Sequence, residues 1–402
     1  MSIFDKFKAM ADTRHELDLL GIDPFSVQID DILSPTEGII NGRPTILAGT
    51  NNYLGLTFDP ECIAATHEAL EHEGTGTTGS RMANGSYTGH RKLEQELAEF
   101  YGKRDGIVFS TGYLANLGML STLAGPDDMV LLDADCHASI YDGCRLGGAR
   151  FLRFRHNQPE DLARRMERLG DKAKNTLIIT EGLYSMLGDR APLKEIVEIK
   201  REYGGYLLVD EAHSLGVLGE RGCGLAEELG LIDDIDFLVG TFSKSLGGAG
   251  GFCVSDHAEL DLIRYLSRPY IFTASPSPAT IATTRQALRT LAAGMHLRTK
   301  LRENYERLHA GLTALGYTLG ADPSPVIAVV FDDKLESLQF WNDLLQMGVY
   351  VNMMLPPATP NGMFLVRCSV SAAHTFEQID TICDAFAHLQ ISPMKVTAMQ
   401  GG

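Results

Sequence analysis

The feature that most constrains the fold is an alternation of short apolar, β-rich runs with helical patterns through the middle of the chain. The helical patterns at residues 93–100, 160–169 and 193–203 separate most of these runs. Strands that alternate with helices form a mostly parallel sheet with helices on both faces. The sequence therefore predicts an α/β fold. The predicted strands are residues 107–109, 129–132, 177–180, 206–209, 237–239 and 252–254.

A second region follows the long helical pattern at residues 279–315, and its mixed pattern predicts a smaller α+β domain. We divide the chain into an N-terminal arm at 1–48, a large domain at 49–290 and a small C-terminal domain at 291–402. The pattern leaves the fold of the arm open. In the small domain the predicted strands are 326–331 and 364–368, and the predicted helices are 334–347 and 375–389.

Lys244 is the residue that points most directly to a chemistry. It lies in the segment Thr-Phe-Ser-Lys-Ser-Leu-Gly-Gly just after a predicted strand, and Asp210 follows another predicted strand. Ligands of such sheets bind at the carboxyl ends of the strands. Pyridoxal 5'-phosphate (PLP) needs an amine for a Schiff base, hydroxyl and N–H groups for its phosphate, and a carboxylate beside its pyridine nitrogen. The segment around Lys244, together with Asp210, offers all three.

Each of these residues also has an ordinary interpretation. Most lysines are solvated surface charges, and an aspartate at a strand end can cap a helix. A lone histidine such as His137 or His213 is usually a satisfied core residue. Three motifs at the ends of three predicted strands nevertheless favour one shared site, because chance explains their common position poorly.

Two motifs that suggest nucleotide chemistry are rejected. The G-x-G-x-x-G match at residues 74–79 follows a helical pattern rather than a strand, so it does not predict a dinucleotide site. The Asp-Glu-Ala-His sequence at 210–213 occurs in helicases, but the chain has no G-x-x-x-x-G-K-[ST] segment. The net charge of −17 argues against binding nucleic acid. Seven scattered cysteines without a C-x-x-C pair indicate neither a disulfide framework nor a metal site.

The location expected from the sequence is cytoplasmic. No apolar run reaches the length of a membrane span, and the N-terminus lacks the apolar stretch of a signal peptide. Isoleucine and phenylalanine lie among lysines in the first eight residues. This pattern leaves open a peripheral contact with the inner membrane, although a frayed helix is the simpler interpretation.

Together the motifs resemble the α-oxoamine synthases, a family within the fold-type I PLP enzymes, from about Asn51 to His374. That resemblance implies a large domain with a mostly parallel seven-stranded sheet between helices, and a smaller α+β domain. Thr-Phe-Ser before Lys244, Phe-Thr-Ala-Ser at 272–275 and Pro-Pro-Ala-Thr-Pro at 356–360 favour the serine-using members. The matching stretches are 51–55, 74–81, 109–116, 133–143, 181–186, 209–213, 240–248, 268–275 and 365–369.

The resemblance also implies a role for each matching residue. Lys244 would form the Schiff base with PLP and later remove the α-proton of the amino acid. Asp210 would pair with the pyridine nitrogen, His137 would stack on the ring, and His213 would hydrogen-bond its phenolic oxygen. These four form the predicted catalytic set.

The remaining predicted site residues bind the cofactor or the substrate. Arg367 would anchor the substrate carboxylate, with Asn52 close to the same group. Ser185 would support the surroundings of the ring. The phosphate would be held by Gly112, Tyr113, Thr241 and Ser243, with Thr273 reaching it from the partner subunit.

The reaction implied is a decarboxylative Claisen condensation of L-serine with a long-chain, palmitoyl-type thioester, giving 3-ketodihydrosphingosine, the first step of sphingolipid synthesis. The acyl carrier would be coenzyme A or acyl carrier protein, and the enzyme would be a homodimer. One alternative is a relative that uses glycine or alanine, namely aminoketobutyrate ligase, aminolevulinate synthase or aminooxononanoate synthase. Alternatives of another class are a PLP aminotransferase and a non-catalytic partner subunit, which would tend to lose the lysine.

Overall fold

The structure, a computed structural model, describes residues 2–391. The large unit comprises Asn51–Glu303 and Ser371–Ala373. The other unit comprises the residues up to Thr50, Asn304–Val370, and the residues from His374 onward. No helix within residues 2–391 is long and apolar enough to cross a membrane. The domain boundaries drawn from the sequence stay a prediction.

The secondary structure follows the predicted alternation. The strands are β1 Asp31–Ser34, β2 Glu37–Ile40, β3 Arg43–Leu47, β4 Asp105–Phe109, β5 Met129–Asp133, β6 Arg150–Phe154, β7 Leu177–Glu181, β8 Tyr206–Asp210, β9 Phe237–Thr241, β10 Gly251–Ser255, β11 Val326–Phe331, β12 Val349–Tyr350, β13 Asn352–Met354 and β14 Phe364–Ser369. The helices are α1 Lys8–Leu20, α2 Pro60–Glu73, α3 Thr88–Tyr101, α4 Gly112–Leu123, α5 Ala138–Gly147, α6 Pro159–Leu169, α7 Leu193–Tyr203, α8 Leu225–Glu228, α9 Leu260–Leu266, α10 Arg268–Ile271, α11 Pro278–Ala293, α12 Met295–Ala314, α13 Lys334–Gln346 and α14 Phe376–Ile391.

The large unit contains a seven-stranded sheet in the order β4-β10-β9-β8-β7-β5-β6. Only β10 runs antiparallel to its neighbours, β4 and β9, so the predicted mostly parallel sheet is confirmed. The pattern missed one strand, β6. This strand lies at the edge of the sheet, and its Arg-Phe-Leu-Arg-Phe sequence leaves most residues partly or fully exposed. This strand therefore lacks the apolar run by which the other strands of the sheet were recognised.

The other unit contains two small sheets, β1-β2-β3-β12 and β11-β14-β13. The first joins the N-terminal strands to β12, which pairs with β3 in parallel. The long helical pattern predicted at 279–315 is two helices, α11 and α12, because the first ends at Ala293 and is followed by Gly294. Glycine has a low helix propensity and is a frequent helix terminator.

Helix α4 connects β4, at one edge of the seven-stranded sheet, to β5, which lies next to the other edge. It packs against β9, β10 and α5, and it buries Ala115, Met119 and Leu120 in the core. The chain enters α4 directly from the carboxyl end of β4, since only residues 110 and 111 separate them. The N-terminus of α4 therefore lies at the edge of the sheet where the parallel strands end.

Candidate active site

A cavity of about 330 Å³ opens at the carboxyl ends of the strands. Most of the residues predicted to bind the cofactor line this cavity. Glu181 and Asp210 are register partners at the last positions of β7 and β8, so the parallel pairing places their carboxylates side by side. The cavity is lined by Thr111, Gly112, Tyr113, Asn116, His137, Ser139, Glu181, Asp210, Ala212, His213, Val239, Gly240, Thr241, Ser243, Lys244, Ala249 and Gly250.

One wall of the cavity is a chain of hydrogen bonds that starts at Asp210. The Asn116 amide donates to Asp210 Oδ2 at 2.7 Å and to Ser139 Oγ at 3.0 Å. Ser139 Oγ lies 2.7 Å from His137 Nδ1, and the Ser139 backbone N–H donates to the same nitrogen at 3.2 Å. The chain thus links the carboxylate predicted for the pyridine nitrogen to the imidazole predicted for the ring face.

A polar cup suited to a phosphate occupies another wall. Thr241 Oγ1 lies 2.8 Å from Ser243 Oγ, beside the first turn of α4. A Cβ on Gly112 would lie 2.8 Å from the Cβ and Oγ1 of Thr241, so only glycine fits at this position. The first N–H groups of a helix have no partner within the helix and attract anions. Hydroxyls, free N–H groups, a lysine and a buried carboxylate in one cavity fit the donor set that PLP requires.

Tyrosine hydroxyl groups form hydrogen bonds at the opening of the cavity, one with His213 and one from Tyr113. His213 Nδ1 lies 2.7 Å from Tyr53 Oη, and both residues are buried. Tyr113 stands edge-on to the His137 ring, with centroids 6.3 Å apart, and its hydroxyl donates to Asp142. Each of these two side chains therefore has a partner at the opening of the cavity.

Burial and charge shift the pKa of two groups in the cavity. Burial, and then the neighbouring Asp210, raise the pKa of Glu181 well above its usual range. The carboxyl of Glu181 accepts a hydrogen bond from the backbone N–H of His137. Although His137 as a residue is exposed, desolvation of its ring lowers its pKa, and Lys244 acts in the same direction. Both shifts favour the neutral form of the group.

A charged cluster supports the loop that carries His137. His156 Nδ1 lies 2.8 Å from Asp133 Oδ1, and His156 Nε2 lies 2.6 Å from Asp189 Oδ2. Burial opposes the charge on His156, but the bonds to Asp133 and Asp189 raise its pKa to about 10. An imidazolium at this position ties the end of β5 to the loop that follows β7.

The remaining predicted site residues do not line this cavity. Ser185 and Thr273 are half-buried in the large unit. Ser110 donates to the carbonyl of Ala274, so the segment that contains Thr273 is bound within its own chain. Asn52 is buried and donates to Thr57 Oγ1 at 2.8 Å. Arg367 is buried on β14 of the other unit and donates to Ser369 Oγ at 3.2 Å. Their predicted roles stay predictions.

Some of the lining residues that form this hydrogen-bonded wall or lie beside Asp210 were not assigned a role from the sequence. Among them, Glu181, Asn116 and Ser139 all lie inside stretches that carried the family resemblance. A strand-end position signals Glu181, as it signalled Asp210. Asn116 and Ser139 gave no such signal, because their contacts depend on how α4 packs against α5.

The comparisons with known proteins agree with this geometry. The family described as Aminotransferase class I and II matches residues 43–386. The chain belongs to the aminotransferase class I and II family. Members of this family depend on PLP, so the cofactor prediction is confirmed.

Individual relatives narrow the position within the family. A serine palmitoyltransferase from Caulobacter vibrioides is 57% identical over 97% of this chain and 96% of its own length. A solved structure of SPT with a PLP internal aldimine has a TM-score of 0.94 and 49% identity, covering 97% of this chain and 98% of that one. An 8-amino-7-oxononanoate synthase from Lysinibacillus sphaericus is 38% identical over 86% of this chain and 89% of its own length. The resemblance to the α-oxoamine synthases is confirmed, and the serine palmitoyltransferases are the more similar of these two kinds of relative.

Proposed function

We propose that this chain is a PLP-dependent acyltransferase that condenses L-serine with a long-chain, palmitoyl-type acyl thioester and releases carbon dioxide. The product would be 3-ketodihydrosphingosine, which places the reaction at the start of sphingolipid synthesis. The observation that carries the proposal is the cavity in which Lys244, Asp210 and His137 meet, in a chain that is 57% identical to a serine palmitoyltransferase over nearly its whole length.

Different residues of the cavity would bind different parts of the cofactor. When bound, PLP would supply an electron sink that stabilises negative charge at the α-carbon of the amino acid. Asp210 would hold the proton on the pyridine nitrogen, since its carboxylate is fixed by Asn116 and by the Ala212 N–H at 2.9 Å. The α4 N-terminus with Thr241 and Ser243 would bind the phosphate. His213 would orient the ring through its phenolic oxygen.

Lys244 and His137 would act on the amino acid. Lys244 Nζ would hold the cofactor and then take the proton from the α-carbon, because an amine in a dry site beside cationic groups has a lowered pKa. His137 would lie against the ring and orient the carboxylate. Arg367 would bind that carboxylate through two parallel hydrogen bonds, with Asn52 near the same group, and Ser185 would support the ring.

A homodimer is also part of the proposal. Apolar side chains of α9 and of the segment after α10 are exposed in the large unit, by 60% for Tyr265, 65% for Leu266 and 72% for Phe272. Apolar patches of this kind commonly mark an interface between subunits. The patch adjoins Thr273, the residue proposed to reach the phosphate of the partner subunit.

A cytoplasmic location, with peripheral contact to the inner membrane, is proposed for the chain. Near the N-terminus Ile3 and Phe4 are 75% and 68% exposed, and Lys6 and Lys8 are close to them in sequence. Apolar side chains beside lysines suit the surface of a bilayer.

A panel of amino acids crossed with a panel of thioesters tests the proposed reaction. Release of free thiol should depend on serine and should rise with acyl length, since each buried methylene contributes about 0.8 kcal/mol. Coenzyme A and acyl-carrier-protein thioesters should be compared in parallel. Preference for glycine or alanine would select the other α-oxoamine synthases. Amino-group transfer without thiol release would select an aminotransferase, and absence of turnover would select a non-catalytic subunit.

A further inference from the structure

Asn116 and Ser139 link Asp210 to His137 through a chain of hydrogen bonds. The chemistry of these side chains determines which group donates and which accepts in each bond. The Asn116 amide nitrogen carries two hydrogens, and its two acceptors are Asp210 Oδ2 and Ser139 Oγ. Turning the amide over would place its oxygen against the Asp210 carboxylate, where two acceptors repel. The carboxylate therefore fixes which way Asn116 points.

The orientation of Asn116 in turn determines the donor and acceptor roles of Ser139. Its hydroxyl oxygen accepts from Asn116, so the hydroxyl hydrogen is free to point at His137 Nδ1, 2.7 Å away. The Ser139 backbone N–H also points at Nδ1, at 3.2 Å. A nitrogen that faces two donors acts as an acceptor and carries no hydrogen of its own.

We infer that Asn116 and Ser139 are positioning residues that fix His137 as the neutral tautomer with its hydrogen on Nε2. The hydrogen-bond chain would leave Nε2–H as the donor that His137 offers to the substrate, while the same Asn116 amide restrains Asp210. The Asn116 side chain would thus position both Asp210, the proposed partner of the pyridine nitrogen, and His137, the proposed neighbour of the ring. The role in substrate binding rests on the proposed function, whereas the tautomer does not.

Burial shields the two positioning residues from solvent. Ser139 is fully buried and Asn116 is 3% exposed. They lie near the N-terminal ends of α5 and α4, two helices that pack together. Water therefore has little access to compete for the donors of the chain. Loss of one buried donor leaves its acceptor unsatisfied, so the remaining groups should rearrange.

The test is the tautomeric state of His137 in the PLP-loaded protein labelled with ¹⁵N-histidine. Long-range ¹H–¹⁵N correlation spectra distinguish a protonated from an unprotonated ring nitrogen, and a His137→Gln sample identifies the signals. We expect an unprotonated Nδ1 and a protonated Nε2 in the parent protein. A hydrogen on Nδ1 in the parent protein would overturn the inference, without need of any variant.

Ser139→Ala and Asn116→Leu should shift His137 toward a mixture of tautomers. Ser267→Ala is the matched control, because Ser267 is also fully buried and its hydroxyl also bonds α4, at the Gly118 carbonyl. The control should leave the tautomer unchanged. An unchanged tautomer in both Ser139→Ala and Asn116→Leu would contradict the inference.

Binding of the amino acid provides a second readout. In Ser139→Ala the apparent affinity for serine should fall about 10-fold, while the KM for the thioester changes by less than about twofold. If another amino acid proves to be the substrate, the proposed function fails but the tautomer result stands. Equal loss of affinity for both substrates would indicate a general packing defect and would reject a specific role in orienting His137.

Discussion

Two cavities of similar size lie at opposite ends of the same strands, and they differ in the side chains that line them. The first, of about 330 Å³, receives the last residues of β7, β8 and β9. The second, of about 370 Å³, receives the first residues of the same strands, Leu177, Tyr206 and Phe237. Strand β8 thus begins in one cavity with Tyr206 and ends in the other with Asp210. Size alone therefore does not distinguish a site from a gap in packing.

The chemistry of the linings separates the two cavities. The second is lined mainly by apolar and aromatic side chains, with a stacked pair of His257 and Phe237 at a centroid distance of 5.3 Å. The first holds Lys244, Glu181, Asp210 and two histidines around a hydrogen-bonded chain. Perturbed titratable groups that converge in a cleft mark functional sites, and they are found at the carboxyl end of the sheet.

The largest effect should follow from removing the lysine of the first cavity. Lys244→Ala should lower turnover by at least about 10⁴-fold, because both the attachment point of PLP and the proposed base are lost. Thiol release measures turnover, and borohydride reduction with peptide mapping identifies the labelled lysine in the parent protein. Lys194→Ala, an exposed position on α7, is the control. Label on any other lysine would show that the first cavity is not the cofactor site.

Stability against pH should depend on the histidine that supports the first cavity. The folded pKa of His156, about 10, lies above the ordinary value of 6.5, so its contribution is complete below about pH 6.5 and is lost as the pH rises toward 10. The loss should amount to about 4 kcal/mol of unfolding free energy. Urea denaturation across this range should show the slope in the parent protein and not in His156→Gln.

The control for this pH dependence is His257→Gln in the second cavity. His257 contacts the carboxylate of Asp236 at 3.0 Å, whereas His156 bridges the carboxylates of Asp133 and Asp189. Because His257→Gln leaves His156 and its two carboxylates in place, this variant should keep the slope that His156 produces. If the slope disappeared in His257→Gln but persisted in His156→Gln, the pH dependence of stability would come from His257 in the second cavity, and the prediction would be wrong.

Substitutions at the first and last residues of β8 test the contribution of each cavity to activity, because the strand begins in one cavity and ends in the other. Asp210→Asn should lower kcat/KM by about 10²-fold or more, since a charge that stabilises the reacting state is removed. Tyr206→Phe, at the other end, removes only a hydroxyl from a residue that is 41% exposed and should change kcat/KM by less than about twofold. Exchange of the α-proton of serine with solvent measures the proton-removal step alone. A normal exchange rate in Asp210→Asn would refute the proposed pairing of Asp210 with the pyridine nitrogen.

The sequence was informative where local patterns decide the structure. The central strands are apolar runs, so their ends, and with them Asp210 and Lys244, could be located in advance. Strand β6 escaped detection because two arginines interrupt its apolar residues, and the helix break at Gly294 was hidden by continuous periodicity. Asn116 and Ser139 could not be assigned, since their contacts arise only when α4 and α5 pack. The pairing of β3 with β12 likewise depends on residues some 300 positions apart, which local patterns do not reveal.

Helix α4 offers a comparison within one element, because its first turn lines the first cavity and its last residue, Leu123, lines the second. Gly112→Ala would place a Cβ 2.8 Å from Thr241, so the phosphate cup must widen. We expect the affinity for PLP to fall about 10-fold, which corresponds to an overpacking cost of about 1.4 kcal/mol. Absorbance titration of the apoprotein measures this affinity. Unchanged affinity would exclude the cup as the phosphate site.

The smallest effect on function should come from the opposite end of the same helix. Leu123 is half-buried and packs against the core of the large unit, so Leu123→Ala should lower the unfolding free energy by about 1–2 kcal/mol, less than a fully buried leucine would. The affinity for PLP and kcat/KM should nevertheless stay within about twofold of the parent values, since distant packing changes of this size rarely reach a site. Thermal denaturation and PLP titration on the same sample separate the two quantities. If Leu123→Ala weakened PLP binding as much as Gly112→Ala does, the helix would couple the two cavities, and the second would have to be regarded as part of the site.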